Sequence, residues 1–318
     1  MSCVIASRVA VPTVPVAARQ LASTRSGFAG AVPRTIRRSF VSHHARTTKR
    51  ARHQTLSRAG WNDFEWGSAT IVSNDLAAKE GGLHVVIVRV AEEVTKGYVK
   101  PGQFVQMRIG DEGKPAFLAI ASPPGADDTN LQLLIKSVDG TAGDICAMKP
   151  GDTLGVSPAM GNGFDLGKAP ASETPNTLLF ATGSGISPIR SLIQSGALGD
   201  RDVTLFYGTA SEKTTAFADE FKAWEAKGIK VVHVMSQGTY CAFPKSRRLF
   251  AHTRLTLSLI PLVGGPPTYV QEALRLALEN VDAAKTCAVL CGQKEMTEAV
   301  IEVLTGHGVA KEKCIMNF

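Results

Sequence analysis

The sequence predicts a two-domain fold: an antiparallel β-barrel, then an α/β domain on a doubly wound parallel sheet. From residue 68 to residue 138, short apolar runs with a period of two are separated by turn residues, with no helical stretch between them. After residue 175 apolar strands alternate with amphipathic helices, the pattern of a parallel sheet covered on both faces. The first strand-to-helix turn of that second part is glycine-rich. In such sheets ligands bind beyond the carboxyl ends of the strands. At 318 residues and 44% apolar composition the chain can bury two cores.

Residues 1–62 stand apart. They hold ten Arg and one Lys with no acidic residue, and are rich in Ser, Ala and Val. That is the composition of an organelle transit peptide, disordered as a free segment. The Ser/Thr/Ala/Val-rich opening favours a chloroplast, while Arg34, Arg37 and Arg38 would suit a mitochondrial amphipathic helix. Removing these eleven charges turns the formal +7 into −4, so nucleic-acid binding loses its main support. No apolar run reaches the length of a membrane span. The six cysteines show no CxxC pair, which argues against a metal or iron-sulfur site and against a disulfide framework.

The barrel is expected over residues 63–170. Its strands are "SATIVSNDLAA", "LHVVIVRV", "FVQMRI", "AFLAIAS" and "NLQLLIKSV", divided by "EGG", "KPGQ", "DEGKP" and "PPGADD". The first helix expected is "TAGDICAM", with Thr141 as its cap. Its amino end can hold a diphosphate, or it can merely turn the chain into the next strand, and spacing alone favours the turn.

The α/β domain is expected over residues 171–318, as "NTLLFA", "SPIRSLIQSG", "DVTLFYG", "TAFADEFKAWEAKG", "IKVVHVMS", "YVQEALRLALEN", "TCAVLCG", "KEMTEAVIEVLTGHG" and a last strand in "KCIMNF". In "ATGSGISPIRS", Gly183 and Gly185 permit close backbone approach, Ser187 can cap the helix, and Pro188 suits its first position. Such a turn can cradle a pyrophosphate, although Pro188 and Ile189 stand where the third glycine of GxGxxG would be sought. Thr209, Ser211 and Lys213 lie beyond a strand end, where they can meet a 2′-phosphate or form an ordinary polar loop. Cys291 and Gly292 end another strand, as ligand neighbours or as small residues packing before a helix. Residues 238–268 break the pattern with four basic and no acidic residues. Two readings stay open for them: translated intron from a missed splice, or a genuine surface insertion.

Together "PGQFVQMR", "AFLAIASPP", "KPGD", "ATGSGISPIRS", "FYGTASEKTTAFADEF", "YVQEALR" and "CGQKEMTEAV", in this order, resemble the ferredoxin-NADP reductase superfamily, and the likeness to a plastid-type member runs from about residue 65 to Phe318. The resemblance implies an NAD(P)H-dependent flavoprotein oxidoreductase, with FAD in the barrel and NADP or NAD in the second domain. It implies that Phe117, Leu118, Ala119, Ile120, Ala121 and Ser122 form the flavin-facing strand, with Gly140, Thr141, Ala142 and Gly143 beside the flavin. Thr182, Gly183, Ser184, Gly185 and Ile186 would meet the nucleotide pyrophosphate, and Thr209, Ser211 and Lys213 the ribose phosphate. Cys291 and Gly292 would lie near the nicotinamide, while the terminal Phe318 would cover the flavin ring. Cys291 and Phe318 are the candidate catalytic positions, and no metal is implied.

The chain departs from the family at one strand. Where the family carries Arg-x-Tyr-Ser, this sequence has Ala116, Leu118 and Ala119. Arg108, Lys114 and the segment Gly140 to Gly143 are the candidate replacements for the arginine. The dihydroorotate dehydrogenase electron-transfer subunit shares the look of "PAMGNGFDL", but its iron-sulfur cysteine cluster is reduced here to Cys287, Cys291 and Cys314. The acidic balance offers no bulk basic surface for ferredoxin, so the electron acceptor stays open. The alternative function is a nucleotide-binding regulatory or structural protein that kept the fold and lost the flavin.

Overall fold

Six strands, β1 (Gly67–Leu76), β2 (Leu83–Arg89), β3 (Phe104–Arg108), β4 (Ala116–Ala119), β5 (Asn130–Lys136) and β6 (Thr153–Val156), pair antiparallel in the order β4-β3-β6-β1-β2-β5. The two ends of that order meet. An antiparallel bridge joins Ile120 to Leu133, and the Ala121 amide donates to the Gln132 carbonyl at 2.7 Å, closing the sheet into a barrel. Alternate residues point inward, so Ala69, Ile71, Val86, Val88, Val105, Met107, Leu118 and Leu133 fill a common core. The structure, a computed structural model, describes residues 64–237 and 269–317. The segments 1–63 and 238–268, together with Phe318, lie outside the described residues, and so do the expectations attached to them.

Helix α1 (Glu92–Gly97) corrects the expectation that no helix lies between residues 68 and 138. It escapes the sequence pattern because only Val94 is buried and its amino-terminal residue Ala91 makes no side-chain cap. Helix α2 (Thr141–Ala147) falls where expected, but Gly140 is its cap residue and Thr141 is already inside it. The Thr141 hydroxyl donates instead to the Lys114 carbonyl at 2.6 Å.

The second half runs β7 (Asn176–Thr182), α3 (Ile186–Gln194), β8 (Asp202–Thr209), α4 (Phe221–Ala226), β9 (Lys230–Met235), α5 (Val270–Ala277), β10 (Thr286–Cys291), α6 (Lys294–Gly306) and β11 (Cys314–Met316). All five strands are parallel in the order β11-β10-β7-β8-β9, and the order reverses between β7 and β10. Two apolar clusters cover the two faces, one around Ile189, Tyr207 and Trp224, the other around Phe180, Leu274 and Val300. Helix α4 starts later than "TAFADEF" suggests, because Phe217 takes a left-handed conformation at φ 57° and interrupts the helical run. No helix among the described residues is long and apolar enough to cross a membrane.

Candidate active-site cleft

The reversal of strand order leaves a crevice at the carboxyl ends of β7 and β10, and the outer wall of the barrel closes it. The resulting cleft holds about 850 Å³, within the range of cofactor sites. Its nucleotide side is formed by Thr182, Gly183, Ser184, Gly185, Thr209, Cys291 and Gly292, with Gln293 and Met296. Its barrel side is formed by Phe117, Leu118, Ala119, Leu134, Ile135, Lys136 and Ala142.

Glycine is a steric necessity at two positions of the cleft and takes a left-handed conformation at a third. Gly183 stands at φ 52° with open space where a Cβ would be, so its backbone is bared to the cleft. A Cβ at Gly185 would run into the Cys291 carbonyl, and one at Gly292 into the Thr182 hydroxyl. The two strand-to-helix turns therefore touch backbone to backbone. The Gln293 amide donates to Thr182 Oγ1 at 3.0 Å, and the Tyr207 hydroxyl donates to the Gly183 carbonyl at 3.3 Å from below.

On the barrel side, strand alternation exposes Phe117 at 58% and sinks Leu118 to 8% in the barrel core. The Phe117 ring lies 5.8 Å from that of Phe104 on the neighbouring strand. Ile120 and Ala121 are fully buried and lie outside the cleft lining. Ser122 accepts the Gln132 amide through its hydroxyl at 3.2 Å, again away from the cleft. Gly140, Thr141 and Gly143 likewise do not line it, and Ile186 is buried in the core beneath.

The three residues expected at the ribose phosphate make contacts within the chain. The Thr209 hydroxyl lies 2.8 Å from His233 Nε2 and 3.0 Å from Thr215 Oγ1. Ser211 caps the turn of residues 212–214, and Lys213 pairs with Glu80 of the β1–β2 hairpin at 2.8 Å. Cys291 reaches the cleft, where burial pushes its thiol up to about 12 and holds it in the protonated form.

Arg108 is not the replacement cation. Its guanidinium lies 4.3 Å over the Trp66 ring and bonds the Asp111 carbonyl. Lys114 does not line the cleft either. Among the described residues that do, Lys136 is the one cation and Glu295 the one anion. Lys136 ends β5 and escapes the sequence reading because its run, "NLQLLIKSV", reads only as a strand.

Ser187 does not cap α3. Gly185 stands at the cap position, and the Ser187 hydroxyl donates to the Ala119 carbonyl of the barrel at 2.9 Å. Arg190 is a second residue with no sequence signal for its role. It bonds Ala121 and Gln132 on the barrel and pairs with Glu220 at 2.8 Å.

A closed barrel and a doubly wound sheet that share one cleft at the switch point define a two-domain ligand-binding architecture. Residues 179–245 match the oxidoreductase NAD-binding domain family. The fruit protein pKIWI502 of Actinidia deliciosa is 32% identical over 258 residues, covering 77% of this chain and 75% of that protein. The gamma subunit of sulfhydrogenase 2 from Pyrococcus furiosus is 29% identical, over 68% of this chain and 70% of that protein. A ferredoxin NADP+ reductase from Neisseria gonorrhoeae, crystallised with FAD and NADP, has the same fold, with a TM-score of 0.62 at 19% identity over 79% of this chain and 97% of that one. The chain belongs to the ferredoxin-NADP reductase superfamily and is an oxidoreductase of that family. These relatives lend no support to a purely structural protein that lost redox activity.

Proposed function

We propose that the protein is a flavin-dependent NAD(P)H reductase that moves electrons between a nicotinamide nucleotide and a separate acceptor. The observation that carries this reading is the cleft walled by a bared glycine turn on one side and an apolar strand on the other. The bared Gly183 backbone leaves room for a pyrophosphate, which Thr182, Ser184 and Gly185 would flank. Phe117, Ala119 and Ala142 present an apolar wall to a flavin ring, and Lys136 supplies positive charge for a phosphate. Bound flavin supplies the exchange between two-electron and one-electron chemistry. Hydride transfer between stacked rings demands no acid or base from the chain, and Cys291 would lie on the nicotinamide side as a thiol.

The Neisseria reductase holds FAD and NADP, and this reading takes FAD with NADP or NAD as the cofactor pair. The test is the visible spectrum of the purified full chain, before and after anaerobic NADPH or NADH. Flavin bands near one equivalent that bleach on addition of nucleotide are expected. A colourless protein that cannot be reconstituted with FAD would overturn the reading. The basic leader supports a plastid location. Import into isolated chloroplasts with loss of the leader is expected, and import only into mitochondria would refute the location.

A further inference from the structure

Helix α3 carries the nucleotide turn at its amino end and is buried along its length, yet one face of it is polar. Ser187, Arg190, Ser191 and Gln194 recur at the spacing that puts them on a single stripe. Ile186, Ile189, Leu192 and Ile193 occupy the other side and pack into the core of the α/β domain. Ser187 and Arg190 of the stripe reach two barrel carbonyls directly and Ser191 reaches a third through Tyr98, while Gln194 bonds Glu220.

Ser187 donates to the Ala119 carbonyl at 2.9 Å, and Arg190 Nη1 donates to the Ala121 carbonyl at 3.0 Å. Ser191 holds the hydroxyl of Tyr98 at 2.5 Å, and that hydroxyl donates to the Ser122 carbonyl at 2.7 Å. Arg190 Nη1 also reaches Gln132 Oε1 at 2.8 Å, on the opposite side of the seam that closes the barrel. Its remaining nitrogens are held by Glu220, itself bonded by Gln194 at 2.9 Å. Ser187 and Ala119 both line the cleft, so one hydrogen bond separates the wall of the nucleotide from the wall of the flavin.

We propose that this stripe sets the separation and tilt of the two ring-binding walls, with Ser187 and Arg190 as positioning residues for hydride transfer. The proposal rests on the flavoprotein reading. A loose helix would still offer the same turn to a pyrophosphate and the same strand to a flavin. Only the approach of one ring to the other depends on the stripe, and rate is steeply sensitive to such placement.

The experiment uses the full chain and the variants Ser187→Ala and Arg190→Lys, the second keeping the charge beside Glu220 while losing the fork. Three quantities are read: flavin content with nucleotide Kd, the rate constant of anaerobic flavin reduction, and amide exchange at Ala121 and Ser122 in the flavin-free protein. The expected result is Kd within about twofold of the parent, reduction slowed about tenfold, and faster exchange at both amides. Unchanged reduction, or a loss of Kd and flavin content with the rate constant intact, would overturn the proposal. If Arg190→Lys fails to fold, Ser187→Ala decides alone, because it removes one hydroxyl. A parent chain that binds no flavin would defeat the flavoprotein reading itself, whereas a parent that is reduced normally beside parent-like variants would defeat only the positioning role.

Discussion

His233 shows how a residue outside the cleft governs the loop beside it. Its ring lies 6.0 Å from Tyr207 and 5.6 Å from Phe221, and Nε2 meets the hydroxyls of Thr209 and Thr215 at 2.8 and 3.1 Å. Burial lowers its pKa, against the opposing pull of Glu212. The folded chain therefore resists the proton that the unfolded chain accepts near pH 6.5, so stability is full at neutral pH and declines as pH falls through about 6.5. The decline ends below the folded-state value. Urea midpoints at about pH 7.5 and about pH 5.5 should differ more for the parent than for His233→Gln. Equal differences would show that His233 plays no part. The same network ties the hydroxyl of Thr209, a residue of the cleft wall, to His233 and Thr215.

At the scale of the element, β4 decides what each residue of its apolar run does. Phe117 and Leu118 are both large and apolar, and composition cannot rank them. Strand alternation puts Leu118 in the barrel core and Phe117 on the outer face. Leu118→Ala should cost about 2–5 kcal/mol in denaturant unfolding through the cavity it leaves. Phe117→Ala should change stability by about 0.5 kcal/mol or less and instead loosen the bound flavin, read as flavin lost on gel filtration. Reversed effects would mean that the strand sits one residue out of register. Helix α3 shows the complementary case. Its polar stripe is visible in "SPIRSLIQ" as spacing, but spacing says only that a polar face exists. Polar faces usually meet water, and the structure turns this one toward backbone carbonyls.

At the scale of the whole molecule, the barrel seam and the α/β domain are fastened by the same guanidinium. Arg190 is 8% exposed, stacks 4.6 Å over Phe217, pairs with Glu220, and touches both Ala121 and Gln132. Arg190→Ala would leave a half-buried carboxylate and two carbonyl-type acceptors without a donor, at a cost of about 3 kcal/mol. Because Arg190 bridges barrel and sheet, thermal unfolding of this variant should broaden or split into two transitions where the parent shows one. A single sharp transition at the parental temperature would mean that the interface is held elsewhere. The hairpin contact between Glu80 and Lys213 is exposed at both ends and contributes little by comparison.

The sequence by itself determined the two architectures, their order, and the glycine turn between β7 and α3. Each of these is written locally, in the period of apolar residues or in a glycine whose missing Cβ leaves the turn open. The resemblance to the family also marks Ala116 as the position where that family carries arginine. Only the tertiary structure decided that Arg108 is taken by Trp66, that Lys213 is taken by Glu80, and that Lys136 faces the cleft. It alone turned Ser187 from an expected helix cap into a link to Ala119. The physical reason is common to all four. A hydroxyl or cation takes whichever partner the folded chain brings within reach, and those partners come from elements set by the fold rather than by spacing along the sequence.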